Sequence, residues 1–197
     1  MSDERDMIFD KEVDKYTRMW DVPQYSFHSP GTEEVHAFIE WARKLPIKEV
    51  LVIGCGQGFE LHYLEEAGFS AHGLDIVNVL KYSEFESKFT VAPVWSLPYK
   101  ELEFDAVLCC DVLEHVAPKK IRLTLQEINR VGKYWYFSIA CRHDKMGKEI
   151  GEILHLSVHL PDWWIRQIGR FLRILDYSGN LSSLKIKGSH KFVEGKR

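Results

Sequence analysis

The chain has 197 residues, 45% hydrophobic and 28% charged, and its 26 Lys+Arg against 29 Asp+Glu give a net charge of −3. That length predicts a single domain, 1–197, able to bury a core without metal or disulfide staples. The near-balanced charge gives no global drive toward nucleic acid or an anionic membrane surface, so neither partner is expected. No apolar run approaches the ~18 residues of a membrane span. The charged opening MSDERDMIFDKE lacks the apolar stretch of a secretory signal. Cys55, Cys109, Cys110 and Cys141 form no C-x-x-C pair, which argues for small reduced hydrophobes in a cytoplasmic compartment rather than a zinc or redox motif.

Residues 1–28 are polar with scattered aromatics (Tyr16, Trp20, Tyr25, Phe27) and predict a short helix followed by a loop. Ser29-Pro30-Gly31 is a turn signal, after which Thr32 suits an N-cap and Glu33 and Glu34 suit the positive end of a helix. Val35, Phe38, Ile39, Ala42 and Leu45 share one helical face, which Pro46 ends. Glu49–Ile53 reads as a strand buried on both faces. Residues 59–67 predict a helix with Leu61 and Leu64 inward and Gly68 as its stop. Further strands are predicted over 70–76, 89–94, Phe104–Cys110 and 134–140. Pro118 opens a helix carrying Ile121, Leu125, Ile128 and Val131. Residues 141–160 form a loop region with three histidines, and Pro161 opens a helix to about Phe171. Two last strands, 172–177 and 184–187, are too close for a parallel crossover and must form a hairpin. The expected fold class is α/β: a doubly wound, Rossmann-like, seven-stranded sheet, mostly parallel with an antiparallel last strand.

The strongest local signal is Val50-Leu51-Val52-Ile53-Gly54-Cys55-Gly56-Gln57-Gly58, a buried strand running into glycines and then a helix. Such glycines let backbone approach a ligand, and the free N–H groups at the helix start favour an anionic group. Asp75 follows 17 residues after Gly58, at the end of the next strand, where a carboxylate can accept hydrogen bonds from both hydroxyls of a ribose. The pair predicts an adenosine-type ligand. A dinucleotide fingerprint G-x-G-x-x-G requires glycine at 59, where Phe59 stands. This weighs against a nicotinamide-dependent oxidoreductase.

The glycine pattern 54, 56, 58 resembles motif I of the class I S-adenosylmethionine-dependent methyltransferases, of the small-molecule, type 11 kind. Gly73-Leu74-Asp75-Ile76 is similar to the second motif, and Ser96-Leu97-Pro98-Tyr99 to the "LPF" segment of the third. Phe104-Asp105-Ala106-Val107-Leu108-Cys109-Cys110-Asp111-Val112-Leu113-Glu114-His115-Val116 is similar to the "FDxVxxxxVLEHV" signature. The resemblance covers about residues 30–140 and implies S-adenosylmethionine as cofactor. Gly54, Cys55, Gly56, Gly58, Asp75, Ile76, Trp95, Ser96, Cys110 and Asp111 are its expected binding residues. Two positions depart from the family. Pro93 stands near the usual adenine-binding acid, which leaves that contact to backbone or Trp95, and Arg130-Val131-Gly132-Lys133 replaces the usual "PGG".

The acceptor site is expected over the carboxyl ends of strands four and five. His155, His115 and His143 are the candidate bases there, because imidazole takes a proton near neutral pH. Arg142, His159 and Trp163 are the candidate substrate contacts. Tyr16, Tyr25 and His28 suggest that residues 1–31 form a lid. His143, His155 and His159 also raise the question of a metal. No H-E-x-x-H is present and Pro161 opposes a helix there, so none is expected. The segment Glu152-Ile153-Leu154-His155-Leu156-Ser157-Val158-His159 and the Leu160-Pro161-Asp162-Trp163-Trp164 after it are similar to a stretch in bacterial methyltransferases that tailor glycans. The Asn/Asp-Pro-Pro-Tyr and Pro-Cys signatures of DNA-modifying members are absent after strand four. What remains is a small-molecule acceptor, with O-methylation, of a sugar or glycan precursor among the options, as the expected reaction. A non-catalytic S-adenosylmethionine-binding protein acting through a partner is the alternative.

Overall fold

The computed structural model describes residues 7–26 and 31–191. Phe27, His28 and the Ser29-Pro30 turn lie outside the described residues, as does the Thr32 side chain. Seven strands form one sheet in the order β3-β2-β1-β4-β5-β7-β6: β1 (Glu49–Ile53), β2 (Ser70–Asp75), β3 (Phe89–Val91), β4 (Phe104–Cys110), β5 (Gly132–Ala140), β6 (Arg173–Asn180) and β7 (Ser183–Ser189). The first five pair in parallel, and β7 runs antiparallel to both β5 and β6. The expected fold class is the observed one.

Alternation within the central strands sends side chains to opposite faces. Leu51, Ile53, Val107, Cys109, Trp135 and Phe137 pack under helices α5 (Ile121–Val131) and α6 (Pro161–Phe171). Val50, Val52, Ala106, Leu108 and Tyr136 pack under α3 (Gly31–Ala42) and α4 (Phe59–Glu66). Both faces are covered, so the strands read as continuous apolar runs rather than alternating ones. The apolar face predicted for α3 is buried, with Val35, Phe38 and Ala42 fully enclosed.

Helix α3 ends at Ala42 rather than running on to Pro46, α5 begins at Ile121 after a 3-10 turn at Pro118, β5 begins at Gly132 rather than 134, and three regions depart further. The third strand stops at Val91 instead of 94: Ala92 still donates its N–H to the Asp75 carbonyl (3.1 Å), but Pro93 has no N–H to extend the ladder. Ala92, Val94 and Trp95 then turn into the core. The terminal hairpin is longer than predicted, because Ser178, Gly179 and Asn180 continue β6 and pair with Lys185, Leu184 and Ser183. Its polar, almost wholly exposed outer strand carries no apolar alternation to read. The N-terminal region holds α1 (Met7–Trp20), a longer helix than expected, and the single turn α2 (Pro23–Ser26). Helix α1 packs Tyr16 and Met19 with Val77 and Leu154 above the carboxyl edge of the sheet.

Candidate active site

At that edge, β1 ends in Gly54 and Gly56, whose φ values of +73° and +47° are left-handed conformations favouring glycine. A Cβ on Gly54 would collide with Val112, and one on Gly56 would lie 3.0 Å from the Trp20 ring. Asp75, buried at the end of β2, ties this loop down. One carboxylate oxygen accepts the Gly56 N–H (2.8 Å) and the other accepts the Ile76 N–H (2.6 Å). Burial pushes the Asp75 pKa up, and the N–H groups of Gly56, Val77 and Ile76 pull it back down.

Two adjoining hollows share Gly54, Asp111 and His115. The smaller, about 120 Å³, runs from Asp75 and Ile76 to Pro93, Val94 and Trp95, and Tyr16, Trp20 and Tyr25 of the N-terminal segment wall it. The larger, about 600 Å³, is lined on its far side by Arg142, His143, Asp144 and His155. Every predicted base therefore faces one space. Cys55, Gly56 and Cys110 line it too. Gly58 and Ser96 line neither hollow. Gly58 helps shape the loop by donating its N–H to the Cys55 carbonyl (2.8 Å), and Ser96 donates its N–H to Pro93 (3.0 Å). His159 and Trp163 also lie outside both. They stack on each other, ring centroids 3.6 Å apart, at the start of α6.

The histidines differ in surroundings. The His155 Nδ1 sits 2.5 Å from the Arg142 carbonyl, which can only accept, so this nitrogen carries a proton and in the neutral ring Nε2 holds the lone pair. His115 lies against it, rings 4.7 Å apart and nearly perpendicular, and its Nδ1 meets the Tyr16 hydroxyl at 2.6 Å. Burial pulls the His115 pKa down to about 3, with the nearby His155 and Lys15 acting in the same direction. A group so hard to protonate is a weak base at neutral pH. Beneath it, fully buried Glu114 accepts the Ala140 N–H at 2.7 Å through one carboxyl oxygen. Burial, and then the neighbouring Asp111 carboxyl, push the Glu114 pKa well up. Asp111 itself sits at φ +51°, a strained conformation for a non-glycine residue.

Two residues that organise the site were not among its sequence candidates. Asp144 accepts N–H groups from Gly147 (2.8 Å), Leu154 (3.0 Å) and His155 (3.2 Å), and so holds the post-β5 loop in shape. Burial alone would raise its pKa, but these donors outweigh it and hold the carboxyl below the ordinary range. An aspartate three residues before a glycine is the one local signal it offered. Arg18 of α1 reaches across to the same loop, 2.9 Å from the Glu152 carboxylate and 3.3 Å from the Ile150 carbonyl. No local pattern foretells that long-range pair.

Residues 51–134 match the model of the methyltransferase domain family, and this stretch contains the glycine loop, Asp75 and the β4 edge just described. By that match residues 51–134 are a methyltransferase domain. An uncharacterized protein from Methanocaldococcus jannaschii is 40% identical over 87 residues, which cover 44% of this chain and 37% of that protein. A ubiquinone biosynthesis O-methyltransferase from Bordetella avium is 26% identical over 151 residues, 68% of this chain and 62% of that one. The chain thus spans less than two thirds of either curated relative. The fold is shared with a Burkholderia thailandensis 1,6-didemethyltoxoflavin N1-methyltransferase solved with S-adenosylhomocysteine, at TM-score 0.70, 16% identity and 98% and 93% coverage of this chain and that one. It is shared also with a Pyrococcus horikoshii protein, at TM-score 0.69, 17% identity and 88% and 99% coverage.

The methyltransferase domain has a cleft that suits its cofactor. The glycines let Val112 and Trp20 pack against the loop backbone, Asp75 ties that loop down, and the smaller hollow beside Trp95 is walled largely by apolar and aromatic side chains. Among the described residues no helix is long and apolar enough to cross a membrane.

Proposed function

We propose that the whole chain is an S-adenosylmethionine-dependent methyltransferase whose acceptor is a small molecule, methylated at oxygen. The observation that carries this reading is the pair of hollows joined at Gly54, Asp111 and His115. Ile76, Pro93 and Trp95 would hold the adenine end, and the remaining lone pairs of Asp75 would take the ribose hydroxyls. The larger hollow would receive the acceptor. Its volume of about 600 Å³ suits a sugar-sized molecule, and Arg142 and His143 offer donors to hydroxyl or acidic groups. When bound, S-adenosylmethionine supplies an electrophilic methyl group on a good leaving group, so the protein chiefly has to orient the acceptor.

His155 would remove the acceptor's proton, because its Nε2 lone pair is unspent while Nδ1–H is fixed on the Arg142 carbonyl. The Tyr16–His115 contact would set the wall next to it and close the cofactor side from solvent. The N-terminal helix is the natural cover for the cofactor. Oxygen is favoured over nitrogen because a hydroxyl needs a base, which this wall provides. The likeness to the Bordetella avium O-methyltransferase points the same way, whereas the Burkholderia thailandensis neighbour is an N-methyltransferase. The test is S-adenosylhomocysteine release across panels of sugar, phenol and amine acceptors. Turnover confined to hydroxyl acceptors supports the reading; turnover confined to amines, or none beyond background, contradicts it.

A further inference from the structure

We propose that Glu114, His115 and His155 form a binding site for one divalent transition-metal ion, with the two histidines on the wall of the larger hollow and Glu114 fully buried beside them. One ligand atom from each lies within 4.8 Å of the other two, a separation that small side-chain movements close around an ion. The second, independent observation is an orphan. Glu114 is fully buried, and its Oε2 meets no partner in good hydrogen-bonding geometry among the described residues, although its carboxyl interacts with that of Asp111. A buried, unsatisfied carboxyl oxygen costs free energy unless something fills the gap, and next to it stand two imidazoles.

The outer partners are those of a metal site. The Ala140 N–H holds the other oxygen of Glu114, the Arg142 carbonyl holds Nδ1–H of His155, and the Tyr16 hydroxyl holds Nδ1 of His115. The Arg142 carbonyl fixes the His155 tautomer that leaves Nε2 toward an ion, while the Tyr16 hydroxyl and the Leu154 backbone orient the His115 ring. Asp111, which lines both hollows, adds a further carboxyl beside the cluster. Two nitrogens and an oxygen favour zinc, cobalt or manganese over magnesium, which prefers oxygen ligands and keeps its waters. Three protein ligands leave coordination positions turned to the hollow. The site also sharpens the role of His155, which acts as a base only while its Nε2 is free of metal.

The proposal does not rest on methyl transfer, because the ion is measured without acceptor. Chelator-treated full-length protein is titrated with Zn²⁺ by calorimetry, and Co²⁺ is used for its visible absorption. The expected result is one saturable equivalent, weakened at least about tenfold in His155→Ala and in Glu114→Gln. Affinity should be retained in His159→Ala, whose imidazole lies outside the cluster, and Mg²⁺ should not compete. Circular dichroism checks each fold; His155→Ala keeps the test decisive if the buried Glu114→Gln variant does not fold. Absence of saturable Zn²⁺ uptake, or uptake unchanged in His155→Ala, overturns the proposal. S-Adenosylhomocysteine binding, measured on the same samples, reports separately on the cofactor cleft.

Discussion

Asp75 accepts the N–H of Gly56 in the glycine loop and those of Ile76 and Val77 just after β2, so it serves the shape of the cleft and, in our reading, the ribose as well. Asp75→Ala should weaken S-adenosylmethionine binding by about 1.5–3 kcal/mol, the scale of a hydrogen bond to a charged group. Calorimetry on a variant with wild-type circular dichroism checks this, and unchanged affinity would falsify the ribose assignment. The histidine pair gives a second residue-level outcome. His155→Ala should lower turnover by about 10²–10⁴-fold with cofactor affinity kept, since proton removal belongs to the chemical step. His115, with its pKa near 3, should contribute little as a base, so His115→Asn should lower turnover far less than His155→Ala. Wild-type turnover in His155→Ala removes that residue from the mechanism.

Among the elements, the segment Leu97–Tyr99 is held by a helix rather than by its neighbours in sequence. Glu127 accepts the Leu97 N–H at 2.8 Å, and Arg130 donates to the Leu97 and Tyr99 carbonyls at 2.9 and 2.5 Å while pairing with Glu127. Arg130 thus has a structural task at the place where the sequence departs from the family's usual "PGG". Arg130→Ala should cost about 1–2 kcal/mol in chemical denaturation, allowing for its partial exposure. It should also weaken cofactor binding modestly by loosening the Trp95 wall. Unaltered stability and affinity would show the clamp to be idle.

Legibility followed the range of the interactions. The central strands, α4 and α6 were readable because burial on one or two faces writes a local apolar pattern, and Gly54, Asp75 and Asp111 were readable because strand ends recur at fixed places. The gathering of Arg142, His143 and His155 around one hollow agrees with where the fifth strand was expected to end. His159 and Trp163 looked like part of the same group, but Trp163 lies on the helix that Pro161 starts, His159 stacks on it, and neither lines the hollow. Asp144, Arg18 and the orphaned oxygen of Glu114 were not legible, since each acquires its meaning from a partner the chain brings in from elsewhere.

For the molecule as a whole, the edge opposite the cleft is stapled by Asp105. Its carboxylate accepts the Lys48 and Glu49 N–H groups at 2.9 and 3.1 Å and pairs with the Lys133 ammonium at 2.7 Å, joining the starts of β1, β4 and β5. Burial opposes the charge, but Lys133 and the two N–H groups prevail and lower the Asp105 pKa. A depressed folded pKa means that the stabilisation is present above the unfolded value of about 3.9 and is lost as pH falls through the folded one. Denaturation midpoints of wild type and Asp105→Asn should therefore differ at neutral pH and converge in acid; a constant gap contradicts the staple. At the centre, Trp135 is buried between β7 and Phe137 and donates its indole N–H to the Ser189 carbonyl (3.1 Å). Trp135→Ala should cost about 3–5 kcal/mol. The central claim is that the cleft at the carboxyl edge is built for S-adenosylmethionine. Calorimetric titration of the full-length protein with S-adenosylhomocysteine tests it most directly. The account predicts one site per chain, much weakened in Asp75→Ala and not competed by NAD. No binding, or NAD binding in its place, would contradict it.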